Sequence, residues 1–258
     1  MKHNKNHSDI IAGPCAKERK TTSFTNRPEK KKSKSFKEHL KSAYFKSIPI
    51  RHYILRGHIS RTLTITKYLK NNKKTKLQVG CGPNALIGWL NADIISGNIY
   101  LNAKRKMPFK AKTFDFVFCE HFIEHLTRES GLKFLNECHR ILKTGGVHRI
   151  TSPDLEKIID LYYDRNVYVK RQKLIEQYGK CADLQLCELF NDYMHNWGHK
   201  FIYDRKTIAQ TLFNIGFIDI TFCEYKKSSY SELSDLERHL EEYSLLNLAE
   251  TFVVEAKK

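Results

Sequence analysis

The chain has 258 residues, 41% of them hydrophobic, which suffices for one α/β domain of ordinary size with an extension. No run approaches the ~20 apolar residues of a membrane span, no apolar leader follows the start, and none of the seven cysteines forms a C-x-x-C pair. A zinc ribbon or disulfide framework is therefore not indicated, and reduced thiols in the cytoplasm are the expectation.

The formal charge of +17 is unevenly placed: residues 1–76 hold 21 Lys/Arg against 4 Asp/Glu, while 77–258 hold 24 of each. Residues 1–37, with Lys30-Lys-Lys-Ser-Lys34 at their centre, are too polar to offset the entropy of ordering and read as a disordered basic tail. Such a tail offers weak, salt-sensitive contact to an anionic membrane or a nucleic acid. Residues 38–75 read as a helical extension, with helices over 38–48 and 51–70. Tyr53, Ile54, Ile59, Leu63 and Tyr68 form a loose apolar stripe there.

From residue 76 strands and helices alternate. Strands are expected at 76–80, 89–94, 98–101, 114–119, 146–152, 218–225 and 250–256. Helices are expected at 129–142, 154–164, 167–179 and 205–214, the last stopped by Gly216. This order argues a doubly wound, mostly parallel sheet for 76–258. Only the six residues 83–88 separate Gly82 from Trp89, too few for a crossover helix between the first two strands.

The first strand ends in Gly80-Cys81-Gly82, where missing Cβ atoms permit a sharp turn against a ligand. Asp93 closes the second strand, where a carboxylate can accept from both hydroxyls of a ribose; the pair reads as a nucleoside-binding corner. Glycine spacing alone also satisfies the dinucleotide pattern G-x-G-x-x-A through Ala85.

With Met107-Pro-Phe109, Thr113-Phe-Asp115, Glu120-His-Phe-Ile-Glu-His125, Leu142-Lys-Thr-Gly-Gly146 and Ser152-Pro-Asp154 following in that order, residues 76–258 resemble class I S-adenosylmethionine-dependent methyltransferases. The likeness is greatest to a subgroup of bacterial methyltransferases associated with sugar and polysaccharide modification. The resemblance implies a seven-stranded Rossmann-like sheet with a reversed last strand and S-adenosyl-L-methionine as cofactor. It implies that Gly80, Cys81 and Gly82 wrap the methionine part, that Asp93 holds the ribose, that Asn102 sits at the adenine position, and that Glu120 faces the cofactor. Gln78, Asn102 and Thr144 depart from the usual residues; the first two would weaken cofactor binding.

Methyl transfer is an in-line displacement, so the protein mainly aligns the reactants and excludes water. A hydroxyl or amine acceptor also loses a proton. His121, at the carboxyl end of the fourth strand, and Asp154, at the end of the fifth, are the candidate catalytic bases. Glu124 and His125 read as anchors of the next segment, and His199 as either a wall of the acceptor pocket or a loop residue.

A small-molecule or glycan acceptor is the expected partner, with RNA or protein methylation, or cofactor binding without catalysis, as alternatives. Two rivals stay open at this point: His121-Phe-Ile-Glu-His125 fits the zinc-peptidase pattern H-x-x-E-H, and the glycine turn fits a nicotinamide enzyme. No resident metal is expected.

Overall fold

A computed structural model describes residues 58–164, 186–239 and 250–258. The basic tail, the helices expected over 38–48 and 167–179, and the first part of that over 51–70 lie outside these residues. Helix α1 (His58–Asn71) leads into strands β1 (Lys76–Val79), β2 (Leu90–Asp93), β3 (Ile99–Tyr100) and β4 (Phe114–Glu120). A short 3-10 turn (Ile123–His125), α2 (Arg128–Ile141), β5 (Leu142–Pro153) and α3 (Leu155–Tyr163) follow. Then come α4 (Leu186–His195), α5 (Arg205–Ile215), β6 (Ile218–Cys223) and β7 (Thr251–Lys257).

The strands form one sheet in the order β3-β2-β1-β4-β5-β7-β6. β1 to β5 run parallel, and β7 is antiparallel to both neighbours. This is the seven-stranded sheet with a reversed last strand expected from the sequence. Side chains alternate across it. Val117, Cys119 and Ile150 pack on one face with Phe134 and Leu135 of α2. Phe116, Phe118 and Val147 pack on the other with Trp89, Leu233 and Leu236. That second face is covered partly by an irregular segment, which Arg149 pins down. Its buried guanidinium lies against Glu237 and Glu255 and donates to the Lys227 carbonyl (3.0 Å).

Helix ends follow their local chemistry. Thr127 caps α2 by accepting from Ser130 N (3.2 Å), Asp204 caps α5, and Gly216, at φ 107°, closes α5 in the left-handed conformation only glycine adopts freely. The stripe expected in α1 is corrected in part: Tyr68 packs inward as expected, but Leu63 is 64% exposed, and Ile65 and Leu69 face inward in its place. The Tyr68 hydroxyl donates to Lys76 O (2.9 Å) and accepts from Lys76 N (2.9 Å), fixing α1 to the start of β1.

As the spacing required, no helix links β1 to β2. Two buried amides brace the loop in its place. Gln78 accepts from Leu86 N (3.1 Å) and donates to Asn84 O (3.0 Å). Asn91 accepts from Leu86 N (2.9 Å) and donates to Leu86 O (2.9 Å). Gln78 is thus a loop brace, where an acid, lacking a donor, could not serve in the same way.

Candidate active site

Parallel strands end together, so the loops after β1, β2 and β4 meet at one edge of the sheet and enclose a cleft of about 700 Å³. Gly80, Gly82 and Asp93 line it with Ile94, Ile95, Ser96 and Asn102; His121, Phe122 and His125 line it as well.

At the glycine corner the chain turns through Gly80 (φ 70°) and Gly82 (φ 49°). A Cβ on Gly80 would stand 2.2 Å from Phe122 Cδ2, so this glycine is required for the close approach of two loops. The corner's N–H groups are not free for a ligand. Gly80 N and Cys81 N donate to Ala92 O (2.8 and 3.4 Å), and Gly82 N donates to Asp93 Oδ2 (3.2 Å). What the corner offers a ligand is space, with nothing within 4 Å of where a Cβ on Gly82 would stand.

Asp93 organises its own loop, Oδ1 accepting from Ile95 N (2.7 Å) and Ser96 N (3.3 Å). A carboxylate has about four acceptor positions and three are taken here, so capacity for one ribose hydroxyl remains, on Oδ2. Asn102 also stands on the cleft wall, but its Oδ1 accepts from Lys104 N (3.0 Å), leaving one lone pair there. The glycine space, the carboxylate on the wall and the apolar Ile94 and Ile95 fit a nucleoside carrying an amino-acid tail.

Three residues singled out in the sequence are placed otherwise. The Cys81 side chain is buried, its thiol toward Ser96 Oγ (3.9 Å) within the loop. Glu120 turns from the cleft: its buried carboxylate accepts from Arg238 N (3.0 Å to each oxygen) and His239 N (3.0 Å). Burial first pushes its pKa up, and those N–H groups pull against the rise. Asp154 caps α3 by accepting from Glu156 N (3.1 Å) and pairs with Arg205 Nε (3.0 Å), outside the cleft lining.

His121 stands apart from these. It closes β4 at φ 43°, a left-handed conformation uncommon outside glycine. Its N–H donates to Thr151 O (2.9 Å) and its ring stacks on His239 with centroids 4.1 Å apart. Nδ1 lies 3.2 Å from Glu124 Oε1, at ion-pair distance though short of hydrogen-bond alignment, and the buried Nε2 has no partner among the described residues.

His239 was not signalled by the sequence: its neighbours form no motif, and the Glu120 tether brings it to the site. Burial, then His121, lower its pKa to about 4. The rival H-x-x-E-H peptidase geometry does not form, since His121 follows a strand and only residues 123–125 make a helical turn.

Residues 91–150 match the family model described as a methyltransferase domain. No curated protein sequence matches the chain. Among solved structures, the chain is similar to an S-adenosylmethionine-dependent methyltransferase from Archaeoglobus fulgidus, with 18% identity, TM-score 0.42, and coverage of 84% of this chain and 99% of that one. It is similar also to one from Mesorhizobium loti, with 13% identity, TM-score 0.42, and coverage of 76% and 98%. Phosphoethanolamine N-methyltransferase 2 of Haemonchus contortus shows 15% identity and TM-score 0.44; the match covers 88% of this chain but 61% of that one. At such scores these likenesses carry no inference about the acceptor. The match makes residues 91–150 part of a methyltransferase domain, and the strand order and glycine corner around that segment are those expected of an S-adenosylmethionine-dependent fold.

Proposed function

We propose that the chain moves the methyl group to a hydroxyl or amine of a small acceptor, with a sugar or glycan hydroxyl first among candidates, and that His121 takes the acceptor's proton. The carrying observation is the unpartnered, buried Nε2 of His121 in a residue that lines the cleft. S-adenosylmethionine supplies an electrophilic methyl on sulfur. Gly80 and Gly82 leave room for its amino-acid tail, Asp93 and Asn102 take the nucleoside, and Phe122 helps to exclude water. The Glu124 carboxylate beside Nδ1 would stabilise the imidazolium formed when Nε2 takes the proton.

The balanced charge of residues 77–258 favours a small acceptor over a long polyanion across the cleft. The test is a methyl-transfer panel of nucleotide sugars, glycans, small amines, RNA and protein. His121→Ala should lower turnover ~100-fold or more with affinity for S-adenosylhomocysteine changed only a few-fold. Normal turnover with poor cofactor affinity would place His121 in cofactor packing instead.

A further inference from the structure

Beside the cleft stands a cluster of which the methyl-transfer reading uses only Glu124, as the neighbour of His121. Glu124, His125 and His199 each place one ligand-type atom within 4.8 Å of the others. The 3-10 turn after β4 presents the first two. The loop after α4 returns His199 to them, because Lys200 N and Phe201 N both donate to the Glu124 carbonyl (2.7 and 3.2 Å).

Two independent observations point to a cation. Glu124 is fully buried, and only one of its carboxylate oxygens is hydrogen-bonded, Oε2 accepting from Ser152 Oγ (3.2 Å). Among the described residues Oε1 has no aligned hydrogen-bond donor, the His121 Nδ1 at 3.2 Å being its nearest compensation. A buried carboxylate oxygen without an aligned donor is costly unless positive charge meets it.

The second observation is at His199, whose Nδ1 lies 2.7 Å from Tyr193 O. A carbonyl only accepts, so Nδ1 carries the proton and Nε2 the lone pair. Ligating histidines are commonly oriented in this way, by donating the other ring N–H to a carbonyl.

We propose that Glu124, His125 and His199 bind a divalent transition-metal ion. Two imidazoles and a carboxylate suit zinc or cobalt(II), whereas magnesium and calcium take oxygen ligands. Ligand atoms around such an ion stand roughly 3.3 Å apart. Closing from the present separation needs rotation of two part-buried histidine rings around a fixed carboxylate. Three protein ligands leave a position for water or an acceptor oxygen, and His125 also lines the cleft.

The full-length chain would be stripped with a chelator and titrated with Co²⁺, followed by d–d absorption, and with Zn²⁺ and Mg²⁺ by calorimetry. The expected result is one Co²⁺ per chain, displaced by Zn²⁺, with Mg²⁺ far weaker. His199→Ala and Glu124→Gln should each weaken Co²⁺ binding by more than the ~10–100-fold that outer-shell changes cost. His199→Ala, on a loop, should keep its melting temperature without metal, which separates ligand loss from misfolding. Absent Co²⁺ absorption in the unaltered chain, equal affinity for Mg²⁺, or unchanged Co²⁺ binding in His199→Ala would each overturn the assignment. The readout is metal binding, so its failure leaves the methyl-transfer reading untouched.

Discussion

Since Asp93 accepts from Ile95 N, Ser96 N and Gly82 N, replacing it by alanine removes the proposed ribose acceptor and loosens its loop on the cleft. Asp93→Ala should therefore weaken S-adenosylhomocysteine binding ~100-fold or more, given ~1.5–3 kcal/mol for each hydrogen bond to a charged group. Calorimetry on the variant checks this, and unchanged affinity would remove the ribose from that corner. The place of Asp93 and the glycines on the cleft was legible because their signal lies in neighbouring residues at the end of a strand. Glu120 and Asp154 gave the same signal and yet stand elsewhere. Their partners, the backbone of Arg238 and His239 and the side chain of Arg205, lie 118, 119 and 51 residues away along the chain. Nothing local distinguishes a strand-end carboxylate that faces a ligand from one that binds a distant segment.

The loop from β1 to β2 shows how an element can be legible by its length and opaque in its cause. Its shortness forbade a helix, but the brace replacing one depends on Gln78 and Asn91 sharing Leu86 across paired strands. Gln78→Glu would replace the donor to Asn84 O with a buried charged oxygen. The expected cost is ~1–3 kcal/mol, measurable as a lower denaturation midpoint, whereas a glutamate that improved cofactor affinity without that cost would restore the family's usual residue to a binding role. Helix α4 escaped notice for a related reason: its Tyr193 packs against Ile158 and Ile202 from other segments, so its place is set by tertiary contact more than by a marked repeat. The helices α2 and α5, with caps and an apolar face written locally, were placed to within a residue or two at their ends.

Across the whole molecule the alternation of strands and helices specified the sheet, including the reversed β7, but the irregular cover of its second face depends on Arg149. Arg149→Met should destabilise the fold by ~3–5 kcal/mol, because Glu237 and Glu255 would stay buried without their cation. Chemical denaturation measures this, and a loss under ~1 kcal/mol would mean that the cover is held by Leu233 and Leu236 instead. The histidine wall has a different consequence. His121, Glu124 and His125 fall inside the segment shared with the methyltransferase family, 91–150, while His199 and His239 lie well beyond it. Kinship measured over 91–150 is therefore silent about the two loops that carry His199 and His239.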